Sequence, residues 1–104
     1  MSADSSAELE VVATIRAREG RGDDLVEVVT AAIAQVRAEE GCLRYDLHRV
    51  RRDDDSFVML ERWASKEALR AHGEAPHFQA MSAQLADVLA EPPVVRVLSP
   101  IDVS

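Results

Sequence analysis

Hydrophobic periodicity changes along this chain in a fixed order, and that order leaves few folds available. From Leu9 to Ala17 (LEVVATIRA), Leu9, Val11, Ala13 and Ile15 share one face, and Val12 and Thr14 share the other. Period two with β-branched residues predicts a strand. After the turn REGRG at 18–22, Leu25, Val28, Val29, Ala32, Ile33 and Val36 recur at helical spacing, the stripe of an amphipathic helix. Asp24 followed by Glu27 reads as a capping box at its start, and Gly41 as a left-handed terminator. CLRYDLHRV (42–50) alternates again, with Leu43, Tyr45 and Leu47 opposite Arg44, Asp46 and His48. RRDDDS follows as a polar hairpin loop whose aspartates, 53–55, read as a solvated tip, and SFVMLERWA (56–64) is the third strand. Ser65 caps a short helix over 66–72, which Gly73 breaks. Pro76 opens another, with Phe78, Met81, Leu85, Val88 and Leu89 as its buried stripe. Glu91-Pro92-Pro93 stops it, and VVRVLSPI (94–101) is the last strand.

The order β-α-β-β-α-β predicts an α+β, ferredoxin-like sandwich with one antiparallel sheet. Right-handed crossovers put both helical segments on one face of it. The other face carries Val12, Val58, Leu60, Val94 and Leu98. A sheet apolar on both faces needs two covers, and this chain has helices for one. The expected second cover is another copy of the chain, giving a homodimer packed sheet to sheet. His48 lies on that second face and is expected at the interface.

Length and charge set the outer limits. A chain of 104 residues holds one core. The expected organisation is a disordered tail over 1–8 and a single domain over 9–101. Nineteen acidic against twelve basic residues give a net charge of −7, which argues against nucleic acid and anionic membrane as partners. No apolar run is long enough to span a bilayer. MSADSSAELE has neither the basic nor the apolar region of a secretory signal. The single cysteine, Cys42, cannot form an internal disulfide and reads as a small buried hydrophobe. Together these fit a cytoplasmic protein.

Few residues can carry chemistry. G-x-S-x-G, P-loop, G-x-G-x-x-G and C-x-x-C patterns are all missing, which removes the usual hydrolase, nucleotide and dithiol readings. Glu61 stands between Met59 and Trp63 on the apolar side of a central strand. A carboxylate there must be paired, protonated or at a cavity. Burial would raise its pKa and suit it to acid–base work, while an ion pair anchoring the strand is the competing reading. His72 and His77 flank the helix break in AHGEAPHF and can edge one cavity. With Glu61 they would imitate a two-histidine, one-carboxylate iron site, but a set assembled from distant segments is a weak match, and helix caps or hydrogen bonds are the commoner use. Tyr45 and Trp63 need partners for their polar tips if buried. These residues place the site between helices and sheet, beside Gly73.

E-x-G-C-L-x-Y (Glu39 to Tyr45), F-V-x-L-E-x-W (Phe57 to Trp63), A-L-x-A-H (Ala68 to His72) and P-H-F (Pro76 to Phe78) follow one another in this order. With them the chain resembles the antibiotic biosynthesis monooxygenase domain family of the dimeric α+β barrel superfamily, over about residues 9–101. The resemblance implies a homodimer closing into an α+β barrel. It also implies oxidation of a phenolic, anthrone or quinol-type aromatic to a quinone with O₂, using no metal, haem or flavin. In that scheme Glu61 or His72 is the base, Trp63, Phe78 and Met81 form an aromatic slot edged by His77, and Tyr45 donates a hydrogen bond. The similar haem-degrading branch has a ligand histidine where this chain has Ser82, and an asparagine where it has Ala13, so haem is not expected. A non-catalytic small-molecule binding module, or an isomerase on the same fold, is the alternative. A cavity walled by Glu61, Trp63 and a histidine would favour the oxygenase. A filled interior, with Glu61 paired to an arginine, would favour the binding module.

Overall fold

The computed structural model describes residues 8–101. The elements run β1 (Leu9–Arg16), α1 (Gly22–Arg37), β2 (Cys42–Arg49), β3 (Ser56–Trp63), α2 (Lys66–Glu74), α3 (Pro76–Leu85) and β4 (Val94–Leu98). The four strands form one antiparallel sheet in the order β2-β3-β1-β4. This is the ferredoxin-like α+β arrangement that the periodicity predicts. The expected tail over 1–8 lies outside the described residues except for Glu8, which pairs with Arg62 at 2.9 Å.

One sheet face meets the helices and makes the core. Val11, Ala13 and Ile15 of β1, Phe57, Met59 and Trp63 of β3, and Leu25, Val29, Ala32 and Val36 of α1 are buried there. The alternation of the strands and the helical stripe thus meet as drawn. Register then fixes the site: Tyr45 of β2 pairs with Glu61 of β3, which also pairs with Val11 of β1. On the outer face Val12, Val58 and Leu60 are half-buried, Val94 and Leu98 are exposed, and Arg96 faces Val12. His48 is exposed on that face beside Val58.

Several local expectations are corrected. No capping box forms at Asp24; α1 starts at Gly22 with Arg21 as N-cap and no side-chain cap of its own. Asp55 from the β2–β3 hairpin does that work, its carboxylate accepting from the backbone N–H of Gly20 and of Gly22, both at 3.0 Å. Of the aspartate run only Asp54 is a solvated tip, while Asp53 and Asp55 are half-buried. Asp53 also takes the Ser56 hydroxyl at 2.8 Å. A distant carboxylate replaces the local cap because the hairpin packs onto the helix start: a Cβ on Gly22 would come within 2.1 Å of the Asp54 carbonyl oxygen. Asp55→Ala takes the acceptor from the first helical N–H, that of Gly22, and from Gly20 in the turn before it, and is expected to cost about 0.5–2 kcal/mol in denaturant unfolding.

Helix α1 ends at Arg37, before Gly41, yet Gly41 does adopt positive φ (+84°). It turns the chain against α2, where an added Cβ would meet the Ala68 Cβ at 2.5 Å. Gly73 does not break α2, which continues to Glu74; the break is Ala75, held extended (φ −67°, ψ 137°) by the following Pro76. Ser65 caps α2 as expected, its hydroxyl accepting from Ala68 N–H. The β2–β3 register shifts between Cys42 and Arg44, so Leu43 leaves the Tyr45 face and is exposed. Cys42 is half-buried rather than buried. Val88 and Leu89 pack beyond the end of α3, where Leu89 bridges to Ala17.

Candidate active site

Between the helices and the sheet lies a cavity of about 320 Å³. Its walls are apolar: Val11, Ala13 and Ile15 from β1, Met59 from β3, and Leu69, Phe78, Met81 and Leu85 from the helices. Three titratable side chains reach it, Tyr45, Glu61 and His72, with Ser82 as a further polar residue. Gly73 lines it as well, so the cavity lies where the sequence places it, although the helix break beside it is Ala75. Toward β4 the helical layer stops short. Val95 and Val97 belong to the wall yet are 57% and 52% exposed, which marks the mouth.

Glu61 is 8% exposed. One of its oxygens accepts from the Trp63 indole N–H at 2.9 Å. The two residues are i and i+2 on one strand, so the pleat puts them on the same face. Among the described residues Glu61 makes no ion pair with an arginine or lysine. Burial pushes its carboxyl above the ordinary range; the indole bond and His72 oppose that shift, and the nearby Glu39 adds to it. The Tyr45 phenol is pushed up by burial first, then by the charges of Glu61 and Glu39, so it stays a protonated donor. Burial and the same two carboxylates also raise the Cys42 thiol.

A raised carboxyl pKa has a definite sign in stability. Between the unfolded value, about 4.3, and the higher folded one, the folded state holds the extra proton. The contribution is full below the unfolded value and is lost as pH rises through the folded one. Glu61→Gln keeps an acceptor for the indole and never ionises. It is expected to melt higher than the parent at neutral pH, the gain vanishing below about pH 4, as calorimetry across that range will read.

His72 is 4% exposed and wedged among rings, with centroids 4.6 Å from Trp63, 4.5 Å from Phe78 and 5.5 Å from Tyr45. Its Nδ1 lies 3.1 Å from both carboxylate oxygens of Glu39. The second histidine, His77, places Nε2 at 2.5 Å from the same carboxylate. The two histidines do converge, but on Glu39 and not on Glu61, so the iron-type set built on Glu61 is not assembled. No group of three or more His, Cys, Asp or Glu among the described residues is arranged to hold a metal ion.

Of the residues singled out from sequence, Tyr45, Glu61, His72, Phe78 and Met81 meet on the cavity wall. Trp63 does not; it is fully buried behind the wall as the donor to Glu61. His77 also stays off the wall and faces a separate shallow groove between α1 and α3. Glu39 escaped the sequence reading as a functional group, being one letter of a motif with no role. The signal was available in two clustered histidines without an assigned acceptor. Val95 and Val97 were missed because a last strand reads only as an edge of the sheet.

Fold and cavity together define a ferredoxin-like α+β domain with an apolar chamber between its helices and its sheet. The model of the antibiotic biosynthesis monooxygenase family matches residues 9–84, and the chain belongs to that family. It is 36% identical over 92 residues to a Mycobacterium tuberculosis protein named "Putative monooxygenase Rv0793", covering 88% of this chain and 90% of that one. Bacillus subtilis "Putative monooxygenase YcnE" is 31% identical over 80 residues, 77% and 84% of the two chains. The crystal structure of PA3566 from Pseudomonas aeruginosa superposes with a TM-score of 0.86 at 35% identity, over 94% of this chain and 98% of that one. No helix among the described residues is long and apolar enough to cross a membrane.

Proposed function

We propose that the protein is a monooxygenase that needs no cofactor and oxidises a small phenol, anthrone or quinol-type aromatic with O₂. The observation carrying this reading is the cavity itself: an apolar chamber with a phenol, a carboxyl and an imidazole all reaching it. Its volume is at the small end for ligand sites, which favours one to three rings over a larger polycycle. No lysine or arginine lines it, so a phosphorylated sugar, the substrate of an isomerase reading, would find no cation. Glu61 without an arginine partner and an unfilled interior also weigh against the binding module.

His72 is assigned as base. Glu39 on Nδ1 favours a proton there, which leaves Nε2 to accept the phenolic proton. Tyr45 donates to the developing phenolate oxygen. The electron-rich ring passes one electron to O₂, and the two radicals combine, forming a carbon–oxygen bond and a hydroperoxide at a C–H position. Cleavage of its O–O bond, with loss of that C–H proton, leaves a carbonyl and releases water. Both substrate hydrogens end in the water, so phenol plus O₂ balances against quinone plus water. Glu61, whose burial keeps its proton to higher pH than an ordinary carboxyl, supplies a proton to the departing oxygen. A panel of one- to three-ring phenols, quinols and anthrones followed by oxygen uptake tests the reading. Consumption matched one to one by quinone is expected, and no uptake by any of them refutes it.

The working form is a homodimer through the outer sheet face of Val12, His48, Val58, Leu60 and Leu98. The half-buried Val12, Val58 and Leu60 at the centre of that face support it. Light scattering should give a dimer at micromolar concentration. Val58→Glu or Leu60→Glu should give a folded monomer, because either would bury an unpaired charge at the contact. A monomeric parent protein rules the dimer out.

A further inference from the structure

We propose that Glu39 is a positioning residue for His72: its carboxylate holds the imidazole in the Nδ1–H form, leaving Nε2 as the bare acceptor at the cavity, and His77 is the second tether that holds the carboxylate. The proposal rests on the assignment of His72 as base. Its structural half, the tautomer, is tested without any substrate.

The geometry leaves little choice of proton position. Ionised Glu39 is acceptor-only, so an imidazole nitrogen 3.1 Å from both its oxygens carries the hydrogen. His72 lines the cavity, and no buried side-chain nitrogen or oxygen among the described residues lacks a partner. With Nδ1 taken by Glu39, Nε2 is the nitrogen open to the cavity. An untethered imidazole prefers the opposite tautomer, which would aim a donor where the reaction needs an acceptor.

Glu39 alone would be a poor anchor. It sits in the connection between α1 and β2, on a long side chain with several rotamers. The second bond, from Nε2–H of His77 near the start of α3, pins the carboxylate from the other side. The Glu39 side chain is then only 13% exposed, against 21% for His77 and 5% for His72. The other titratable groups around His72 are Tyr45 and Glu61, and neither hydrogen-bonds its Nδ1. This arrangement gives His77 a purpose although it does not touch the cavity.

The test is nitrogen-15 imidazole NMR on the labelled full chain, at a pH alkaline enough to neutralise an ordinary imidazole. The expected spectrum shows His72 as the Nδ1–H tautomer and His77 as Nε2–H. Glu39→Gln, whose amide accepts or donates equally well, should convert His72 to a mixture, and Glu39→Asp should restore part of the native population. With a phenol that the oxygen-uptake panel identifies, Glu39→Gln should lower kcat about 100-fold or more, with KM nearly unchanged. An Nε2–H tautomer at His72 in the parent protein overturns the proposal, whether or not any variant folds. So does an unaltered tautomer in Glu39→Gln. The native tautomer pattern without oxygen consumption by any phenol would strike down the proposed reaction and leave the positioning role standing.

Discussion

Trp63→Ala is expected to lower the unfolding free energy by about 3–5 kcal/mol, the range for truncating a large buried aromatic. Trp63 is fully buried and the largest of the core side chains. Its removal also leaves the buried Glu61 carboxyl without its hydrogen-bond donor, and a buried polar group without a partner adds its own penalty. Trp63→Phe separates the two contributions. It keeps most of the ring, so its loss should be clearly smaller, while the missing N–H lets burial raise the Glu61 carboxyl further. Urea unfolding of the three proteins measures both. Equal stability of Trp63→Ala and the parent would contradict the packing described for β3.

His72→Gln should reduce oxygen consumption by about 10²–10⁴-fold, the usual worth of a positioned general base. Glutamine still reaches Glu39 with its amide N–H but cannot take up a proton at neutral pH. Tyr45, Trp63 and Phe78 each lose their ring contact with His72, so thermal melting should be followed alongside the rate. A folded variant with undiminished turnover would move the base to Glu61.

The sheet and its inward face were legible from sequence because period two leaves no ambiguity once one face must be buried. Leu43 was the exception, since a one-residue shift next to a positive-φ glycine moves a side chain out of the ladder without changing the apolar count. Helix starts and stops were less legible. Ser65 caps through its own hydroxyl, a local event, and was readable; α1 takes its cap from Asp55, 33 residues downstream of Gly22, through a contact that exists only after the hairpin folds over. Gly73 was misread because a glycine weakens a helix, whereas Pro76 compels the break one residue before it. The site divides in the same way. Glu61 stood out as a carboxyl on an apolar strand face, but that Trp63 would bond to it and that both histidines would turn to Glu39 depended on side-chain directions that spacing does not give.

The Asp55 cap has a consequence for how this small domain tolerates change. The end of the sheet where β1 finishes and β3 begins is stitched by Ala17 N–H to the Asp55 carbonyl, Arg18 N–H to the Val88 carbonyl and Ala90 N–H to the Arg16 carbonyl. The Asp55 carboxylate adds its two bonds at the same end. Glu39, Glu61 and Trp63 sit at the other end, where β2 begins and β3 finishes. One pole of the molecule is a clasp, and the buried carboxyls gather at the other. Side chains at that second pole can be exchanged while the clasp goes on closing the fold. A peptide spliced into the hairpin, a spot that looks disposable on paper, would pry the clasp open.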